Sequence, residues 1–527
     1  MKKIFAMAAL ALATVPAAAQ ETYENAKISW SDLNGTARYV GMGGALEALG
    51  ADISTISSNP AGIGLFRKSS ASVSAGMVSQ QDADNFAGGH TTNISFDQIG
   101  VVYAGRTSRT GFLNFAFNYH KSRNFNYILS AADRLQNASQ NKQTYLKEKN
   151  DLLYETDKNG DPNFNNAYFS CNQLDDIYDR AYYGYNNGWW WENDAQGVTH
   201  WFYNDNLVAD RYTMDRRHWG YVGDYDFNIS GNINDRVYLG MTIGIHDVHY
   251  KHYNEYIEYL AGESPIEVRD ERNIKGTGAD VKAGVIFRPV EYSPFRIGLS
   301  VTTPTWYDLT TSNYTSISDN GGSTYNSEEY DFKLYTPWKF NLSLGTTVGN
   351  YLALGASYEY EDYGTLDTRY KTDVSYDYWY DDYSSRSESD DEMNRHTSEN
   401  LKGVSTLKLG AEFKAAPEVA VRFGYNYVSP IYKKDAYKDG TLPCEGSYYS
   451  SATDYTNWEA THRITCGVGI QIDNVNLSAA YQYSTQNGYF APFNSYYVEG
   501  DKDSYDVFST KVSNKRHQLV LTATVNI

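Results

Sequence analysis

The stretch "RITCGVGIQIDNVNLSAAYQY", residues 463–483, decides the fold. From Ile464 to Ile472 every second residue is apolar, and the residues between them are polar or glycine. Asp473-Asn474 follows, and a second alternating segment begins directly after it. Period-two alternation is typical of a β-strand with one apolar face, and Asp and Asn favour tight turns. The stretch therefore predicts an antiparallel hairpin.

The same alternation recurs from about residue 69 to the last residue. It predicts about fourteen strands, near 69–80, 93–105, 110–122, 220–231, 236–250, 277–288, 294–308, 330–345, 351–363, 402–415, 418–430, 460–472, 474–486 and 514–527. The connections alternate between short ones, such as Asp473-Asn474, and long ones, such as 364–401 and 431–459. Transmembrane barrels have short turns at one end and long loops at the other, whereas a soluble sandwich or propeller has no reason to sort its connections by length. We therefore predict an all-β fold, a transmembrane antiparallel β-barrel of about 14 strands over 69–527.

Composition and charge agree with this class. The 527 residues include 49 Tyr and 10 Trp, yet the mean hydropathy is -0.57. A barrel with aromatic girdles and a polar interior accounts for both values. Seven of the tyrosines fall on the predicted outer face where strands meet the long loops, at Tyr119, Tyr358, Tyr360, Tyr425, Tyr427, Tyr481 and Tyr483. The net charge of -19 argues against a nucleic-acid partner, because phosphate binding needs a basic face.

The first nineteen residues are predicted to be a secretory signal. "MKKIFAMAALALATVPAAA" has two lysines, an apolar run too short to span a bilayer, and small residues at its end. We expect cleavage after Ala19 and export to the outer membrane of a Gram-negative cell, where the chain contacts lipid as a monomer.

Charged residues fall on the predicted inner face. The lumen-facing candidates are Lys282, Arg288, Arg296, Glu359, Lys408, Glu412 and Arg422. A barrel of about 14 strands is wider than the eight strands whose lumen side chains alone can fill. The mature segment before the first strand, 20–68, is rich in glycine and lacks alternation, so we expect it to fill the lumen as a plug.

We find no set of residues that supports catalysis or a cofactor. "HDVHYKH" places three histidines at 246–252, but period two sets His249 on the opposite face from His246 and His252, which argues against zinc or haem there. No Ser and His pair with an orienting partner falls on one face. The expected catalytic, metal and cofactor residues are therefore none, and the protein is not expected to be an enzyme.

The longest predicted connection is the insertion 123–219, which we place outside the cell. Within it, the apolar spacing of residues 129–155 predicts surface helices.

The segment "GTARYVGMGGA" (35–45), the "NPAG" element (59–62) and the strand sequences "RIGLSVTTPTWYDL" (296–309) and "LKLGAEFKAAPEVAVRFGYNYVSP" (407–430) resemble the FadL/TodX family of outer-membrane transporters of hydrophobic compounds. The resemblance covers nearly the whole mature chain and is nearest to the Bacteroidetes members, which are often labelled hemin receptors. It implies a fourteen-stranded barrel, an N-terminal hatch at 20–68, and passive uptake of long-chain fatty acids or other hydrophobic small molecules through the lumen and a lateral opening in the wall.

By this resemblance, Asn59, Pro60 and Ala61 take the hatch role. The full set of hatch or gating candidates is Asn59, Pro60, Ala61, Gly62, Gly41, Gly43, Gly44 and Arg38. Pro60 holds Asn59 extended, and glycines at 41, 43 and 44 allow close backbone packing. A haem-binding receptor or a surface adhesin on the same barrel stays open as an alternative.

Overall fold

The computed structural model describes residues 22–527 apart from 150–188, 194–198, 204–206, 261, 263, 292, 320–321, 378–381 and 439–452. The helices are α1 (Thr22–Ser29), α2 (Ala37–Gly41), α3 (Gln140–Lys149) and α4 (Asp391–Asn400), with 3₁₀ helices at Ile53–Ser57, Pro60–Leu65 and Tyr363–Thr365. None of the helices in the described part of the chain is both long and apolar enough to cross a membrane.

The strands are β1 (Ser70–Gln81), β2 (Thr92–Arg106), β3 (Phe112–Asn124), β4 (Tyr127–Ala138), β5 (Trp189–Asn193), β6 (Thr199–Tyr203), β7 (Ala209–Ile233), β8 (Val237–Leu260), β9 (Ile266–Phe287), β10 (Arg296–Thr302), β11 (Trp306–Asp319), β12 (Gly322–Tyr335), β13 (Lys339–Val348), β14 (Leu352–Asp362), β15 (Asp367–Asp377), β16 (Asp382–Ser389), β17 (Gly403–Ala416), β18 (Val419–Val428), β19 (Tyr455–Ile472), β20 (Val475–Ala491) and β21 (Thr510–Asn526).

Fourteen of these strands close into an antiparallel barrel, which confirms the predicted fold class. The order around the wall is β1, β2, β3, β7, β8, β9, β10, β13, β14, β17, β18, β19, β20 and β21. The circle closes where β21 pairs with β1, from Ser70 opposite Asn526 to Gln81 opposite Lys515. β4, β11, β12, β15 and β16 extend the sheet beyond this ring at the end that carries the long connections, here called the long-connection end.

Short turns close the opposite end, here called the short-turn end. Asp473 adopts a left-handed φ of 49° between β19 and β20, and Asn234 and Asp235 do so at 53° between β7 and β8. Asn and Asp tolerate this conformation better than other residues with a Cβ, which explains their presence at these turns.

Side chains alternate between the two faces as predicted. Leu354 is 40% exposed on the outer face, while its neighbour Gly355 is buried on the inner face. On β8, the outer face is apolar from Leu239 to Ile245, with four exposed aliphatic side chains. The barrel thus carries an apolar outer band around a polar interior.

Several predicted strands are longer than the sequence indicated. β8 runs to Leu260 and β9 begins at Ile266, although 251–276 was predicted to be a loop. The reason is that beyond Ile245 the outer face becomes polar, with Asp247, His249 and Lys251. The inner face there buries both polar and apolar side chains, so the alternation with an apolar outer face disappears.

Two other predictions about the connections were wrong. The segments predicted as single strands at 294–308 and 330–345 are interrupted, at Thr303–Thr305 and Thr336–Trp338, and β11 and β12 occupy the predicted loop 309–329. Pro304 and Pro337 lie in the interruptions, since proline has no N–H to donate to a ladder. The first part of the predicted helical region 129–155 is strand β4, which pairs with β7, and α3 follows it.

Candidate functional site in the barrel lumen

The N-terminal segment, described from Thr22 to Lys68, runs through the lumen from the long-connection end to the short-turn end. At its start, α1 packs among side chains of the long connections and of the adjoining wall, including Tyr250, Tyr363 and Tyr432. At its end, the 3₁₀ helix Pro60–Leu65 packs against β7, β8 and β9. Most of its residues between these points are buried.

Local caps set the path of this segment. The side chains of Thr36, Asp52 and Asn59 each begin a short helix by accepting a hydrogen bond from a backbone N–H two or three residues later. Asn59 is extended, with φ of -139°, as its position before proline requires. Its Oδ1 accepts from the N–H of Ala61 at 3.2 Å, so Asn59 ends one turn and starts the next.

The other hatch candidates also contact the wall or each other. The Pro60 carbonyl accepts from Ser230 Oγ at 2.8 Å, and the Gly41 carbonyl accepts from Thr465 Oγ1 at 3.1 Å. Gly43 and Gly44 both have positive φ. A Cβ on Gly43 would lie 2.9 Å from the Leu409 carbonyl oxygen, so this position requires glycine on grounds of both conformation and space. Ala61 and Gly62 are buried within the 3₁₀ turn.

Two clusters of charges tie the segment to one side of the barrel. Arg38 Nε lies 2.9 Å from Glu412 Oε2, and the same carboxylate is 2.7 Å from Arg422 Nε. Nearer the long-connection end, Lys408 Nζ lies 2.9 Å from Glu47 and 3.4 Å from Glu359.

The remaining lumen-facing candidates lie elsewhere. Lys282 bridges Asp226 and Asp280 at 3.0 and 2.7 Å on another part of the wall, and Arg296 donates to the Leu49 carbonyl at 2.7 Å. Arg288 lies at the short-turn end, where it donates to the carbonyls of Ser293 and Asp235. It contacts no other candidate of the set.

Glycines on the inner face of the barrel leave room for the N-terminal segment to pack closely against the wall. The sequence did not reveal this contact. A Cβ at any of seven of these glycines would overlap an atom of the segment, and these are Gly100, Gly240, Gly284, Gly298, Gly355, Gly410 and Gly424. At Gly355 the obstacle is the Ala45 carbonyl, and at Gly424 it is the backbone of Met42 and Gly43. The period-two pattern shows these glycines as inner-face residues, but it cannot show that another backbone lies against them.

The wall is interrupted between β2 and β3. Their ladder runs from Arg106 opposite Phe112 to Gln98 opposite His120, so Thr92–Asp97 of β2 have no partner on β3. The register of β3 against β7 also shifts after Lys121. Asn34 of the N-terminal segment bridges the place where the strands part, since its Nδ2 donates to Asp97 Oδ1 at 3.1 Å and to the Lys121 carbonyl at 2.9 Å.

A cavity of about 160 Å³ lies between the segment and the wall. Its lining is more polar than apolar and includes His120 and His246. His246 is held between Asp224 at 2.8 Å and Asp280 at 3.0 Å, so its ring nitrogens already have carboxylate partners. His252 is likewise buried against Asp270, whereas His249 is on the outer face as predicted. Among the described residues, no group of three or more His, Cys, Asp or Glu is arranged to hold a metal ion.

A second cavity, of about 100 Å³, lies between residues 26–34 of the segment and the inner faces of β19, β20 and β21. Asp32 lies at its edge, with Oδ1 3.0 Å from Arg123 Nη1. Burial alone would raise the pKa of the Asp32 carboxyl, but Arg123, Arg516 and Arg463 outweigh burial and hold that pKa below its usual value. Asp32 is therefore a carboxylate at neutral pH.

These features define a class: a closed antiparallel barrel of 14 strands that holds its own N-terminal segment in the lumen. No family model and no curated protein sequence matches the chain. Among solved structures, a Pseudomonas aeruginosa FadL homologue is similar, with a TM-score of 0.51 and 12% identity over 94% of this chain and 99% of that one. At this identity the similarity shows the fold alone, and the chain has the FadL-type barrel fold.

Two further structures are similar at lower scores. The Ralstonia pickettii toluene transporter TbuX has a TM-score of 0.47 at 11% identity, and the Pseudomonas putida toluene transporter TodX has 0.45 at 9%. Both are covered over 99% of their length by 94% of this chain.

Proposed function

We propose that this protein is an outer-membrane channel for passive uptake of long-chain fatty acids or other hydrophobic molecules, in which residues 20–68 act as the gating hatch. In this proposal residues 1–19 are the signal peptide, 69–527 form the barrel, and the long-connection end faces outside the cell. The observation that carries the proposal is the path of the N-terminal segment, which occupies the lumen of a barrel with an apolar outer band.

Entry is proposed at the long-connection end, where α1 occupies an aromatic mouth. Tyr23 of α1 stacks on Tyr432 with ring centroids 4.8 Å apart, and Ala26 and Ile28 pack in the same cluster. An apolar molecule that binds these aromatic side chains would compete with α1 for them. Such a molecule opens the mouth to the extent that it binds the displaced state more tightly than the closed one.

Exit is proposed through the interrupted wall between β2 and β3. The outer face there is apolar and exposed at Ile94 and Phe96, while Asn34 closes the inner side. A shift of the segment that withdraws Asn34 would open this place toward lipid. An apolar molecule could then leave sideways, without passing the charged clusters near the short-turn end.

The haem alternative has weaker support. The cavity histidines His120 and His246 both lie beside carboxylates, at 3.6 and 3.7 Å for His120 and at 2.8 and 3.0 Å for His246. Haem ligation would require these contacts to break. Transport is also favoured over catalysis, because the charged lumen residues that the structure describes are arranged in ion pairs.

A reversible disulfide tests the hatch directly. The hydroxyls of Thr22 in α1 and Thr397 in α4 are 2.8 Å apart, so Thr22→Cys with Thr397→Cys should lock α1 in the mouth when oxidised. The native cysteines are replaced by serine in this background. A matched control joins β1 and β2 through Ser79→Cys and Thr92→Cys, whose hydroxyls are 2.7 Å apart and do not touch the segment.

We expect the oxidised lock to reduce uptake of labelled oleate to the level of cells lacking the protein, and reduction to restore it. The β1–β2 disulfide should have no effect. Full uptake by the oxidised lock would mean that α1 is not the gate. Uptake by the unlocked protein no higher than in cells lacking it would contradict the channel itself.

A further inference from the structure

The second cavity is lined by two chemically different groups of residues. Trp30, Tyr432 and Trp458 are aromatic and belong to one hydrophobic cluster. Three guanidinium groups come from three different strands, those of Arg123, Arg463 and Arg516. Such a surface suits a molecule with an apolar part and a charged end.

The positive charges of this cavity are not balanced. Asp32 is the only acidic residue among its described lining residues. It lies 3.0 Å from Arg123 and 3.8 Å from Arg463. Lys27 also lines the cavity, but its ammonium is paired with Glu24 at 2.9 Å. Three guanidinium groups therefore share one carboxylate.

Hydrogen bonds within the protein leave some N–H donors of these guanidinium groups available to a ligand. Arg123 Nε is buried and has no partner, and Arg516 Nη1 donates to the Asn124 carbonyl at the long distance of 3.3 Å. Arg463 is almost fully buried, and its Nη1 donates to Asn426. Burying cations without counter-charge is costly, and an anion bound among them would recover much of that cost. Guanidinium groups present paired N–H donors that match the two oxygens of a carboxylate.

We propose that this cavity binds the oxyanion of an amphipathic molecule, a carboxylate being the simplest case, with its apolar part against Trp30, Tyr432 and Trp458. The inference rests on the proposed channel function and adds a preference to it. The channel favours hydrophobic acids over uncharged hydrophobic molecules of the same size. Arg516 is the main contact, because among the described residues it has no ion-pair partner within 4 Å, whereas Arg123 and Arg463 lie 3.0 and 3.8 Å from Asp32.

The test measures binding to the purified full chain in an uncharged detergent at pH 7.5, by isothermal titration calorimetry. The probes are 4-phenylbutyrate, the uncharged 4-phenylbutanol of similar size, and acetate. The variant Arg516→Gln removes the cation. Lys515→Gln is its matched control, because Lys515 is the next residue on β21 and pairs with Asp82 on the outer face.

We expect wild-type protein to bind 4-phenylbutyrate at least about tenfold more tightly than 4-phenylbutanol or acetate, because charge-assisted hydrogen bonds are about twice as strong as neutral ones. Arg516→Gln should lose about tenfold for the acid alone, and Lys515→Gln should lose nothing. If Arg516→Gln does not fold, Arg463→Gln serves in its place.

Equal affinity of wild-type protein for the acid and the alcohol would overturn the inference, as would an unchanged affinity in a folded Arg516→Gln variant. Acetate binding as tightly as 4-phenylbutyrate would show a site for free small anions and overturn the amphipathic ligand. Because the readout is binding and not uptake, failure of the channel proposal would appear in the disulfide experiment and not here.

Discussion

Replacing Gly355 by alanine should displace the N-terminal segment without disturbing the outer face of the barrel. Gly355 lies on the inner face of β14, and a Cβ there would overlap the carbonyl oxygen of Ala45. The obstacle is backbone on both sides, so no flexible side chain can move aside. Overpacking of this kind costs about 1–3 kcal/mol.

That cost falls on the closed state, because the overlap disappears when the segment moves away. The population of the displaced state should therefore rise by a factor of about 5 to 150. Gly231→Ala is the matched control, since a Cβ at Gly231 meets nothing nearer than the Phe112 carbonyl oxygen at 3.9 Å.

Amide hydrogen exchange measures this population directly, because exchange of a locally opening segment follows the fraction that is open. We expect faster exchange of residues 37–50 in Gly355→Ala by about the factor given above, with the barrel strands unchanged. Gly231→Ala should exchange like wild-type protein. Wild-type exchange rates for residues 37–50 in a folded Gly355→Ala barrel would refute the reasoning that the inner-face glycines seat the segment.

Three further predictions concern the barrel and the hatch. Leu354→Arg should destabilise the barrel by about 2–4 kcal/mol if Leu354 lies near the bilayer midplane, and an unchanged unfolding midpoint in lipid vesicles would contradict its assignment to the lipid face. Asn59→Ala with Pro60→Gly removes the cap of the second 3₁₀ helix and should change oleate uptake at matched protein levels while the barrel still folds; equal uptake would mean that this element is only a linker. An epitope inserted near Ser385 should be labelled on intact cells, whereas labelling only after permeabilisation would reverse the proposed orientation.

The strand pattern was predictable because it is local. Alternation between faces depends on one strand and on the medium at each face, so the fourteen wall strands and the outward position of His249 could be read from neighbouring residues. The strand prediction failed where the sequence no longer alternates between an apolar and a polar face. Beyond Ile245 the outer face of β8 is no longer uniformly apolar, and the strand continues without the apolar-outside alternation that marked it.

The partners of the lumen residues were decided by the tertiary structure. The sequence placed Lys408, Glu412 and Arg422 on the inner face, but not Glu412 between Arg38 and Arg422. Such contacts depend on the register between strands and on the path of a segment more than 300 residues away in the chain. The same holds for the three arginines around Asp32, which come from β3, β19 and β21. The period-two pattern assigns each residue to one face of its strand. Closure of the ring determines which inner faces lie opposite one another. The N-terminal segment could be placed among these faces only once the ring was closed.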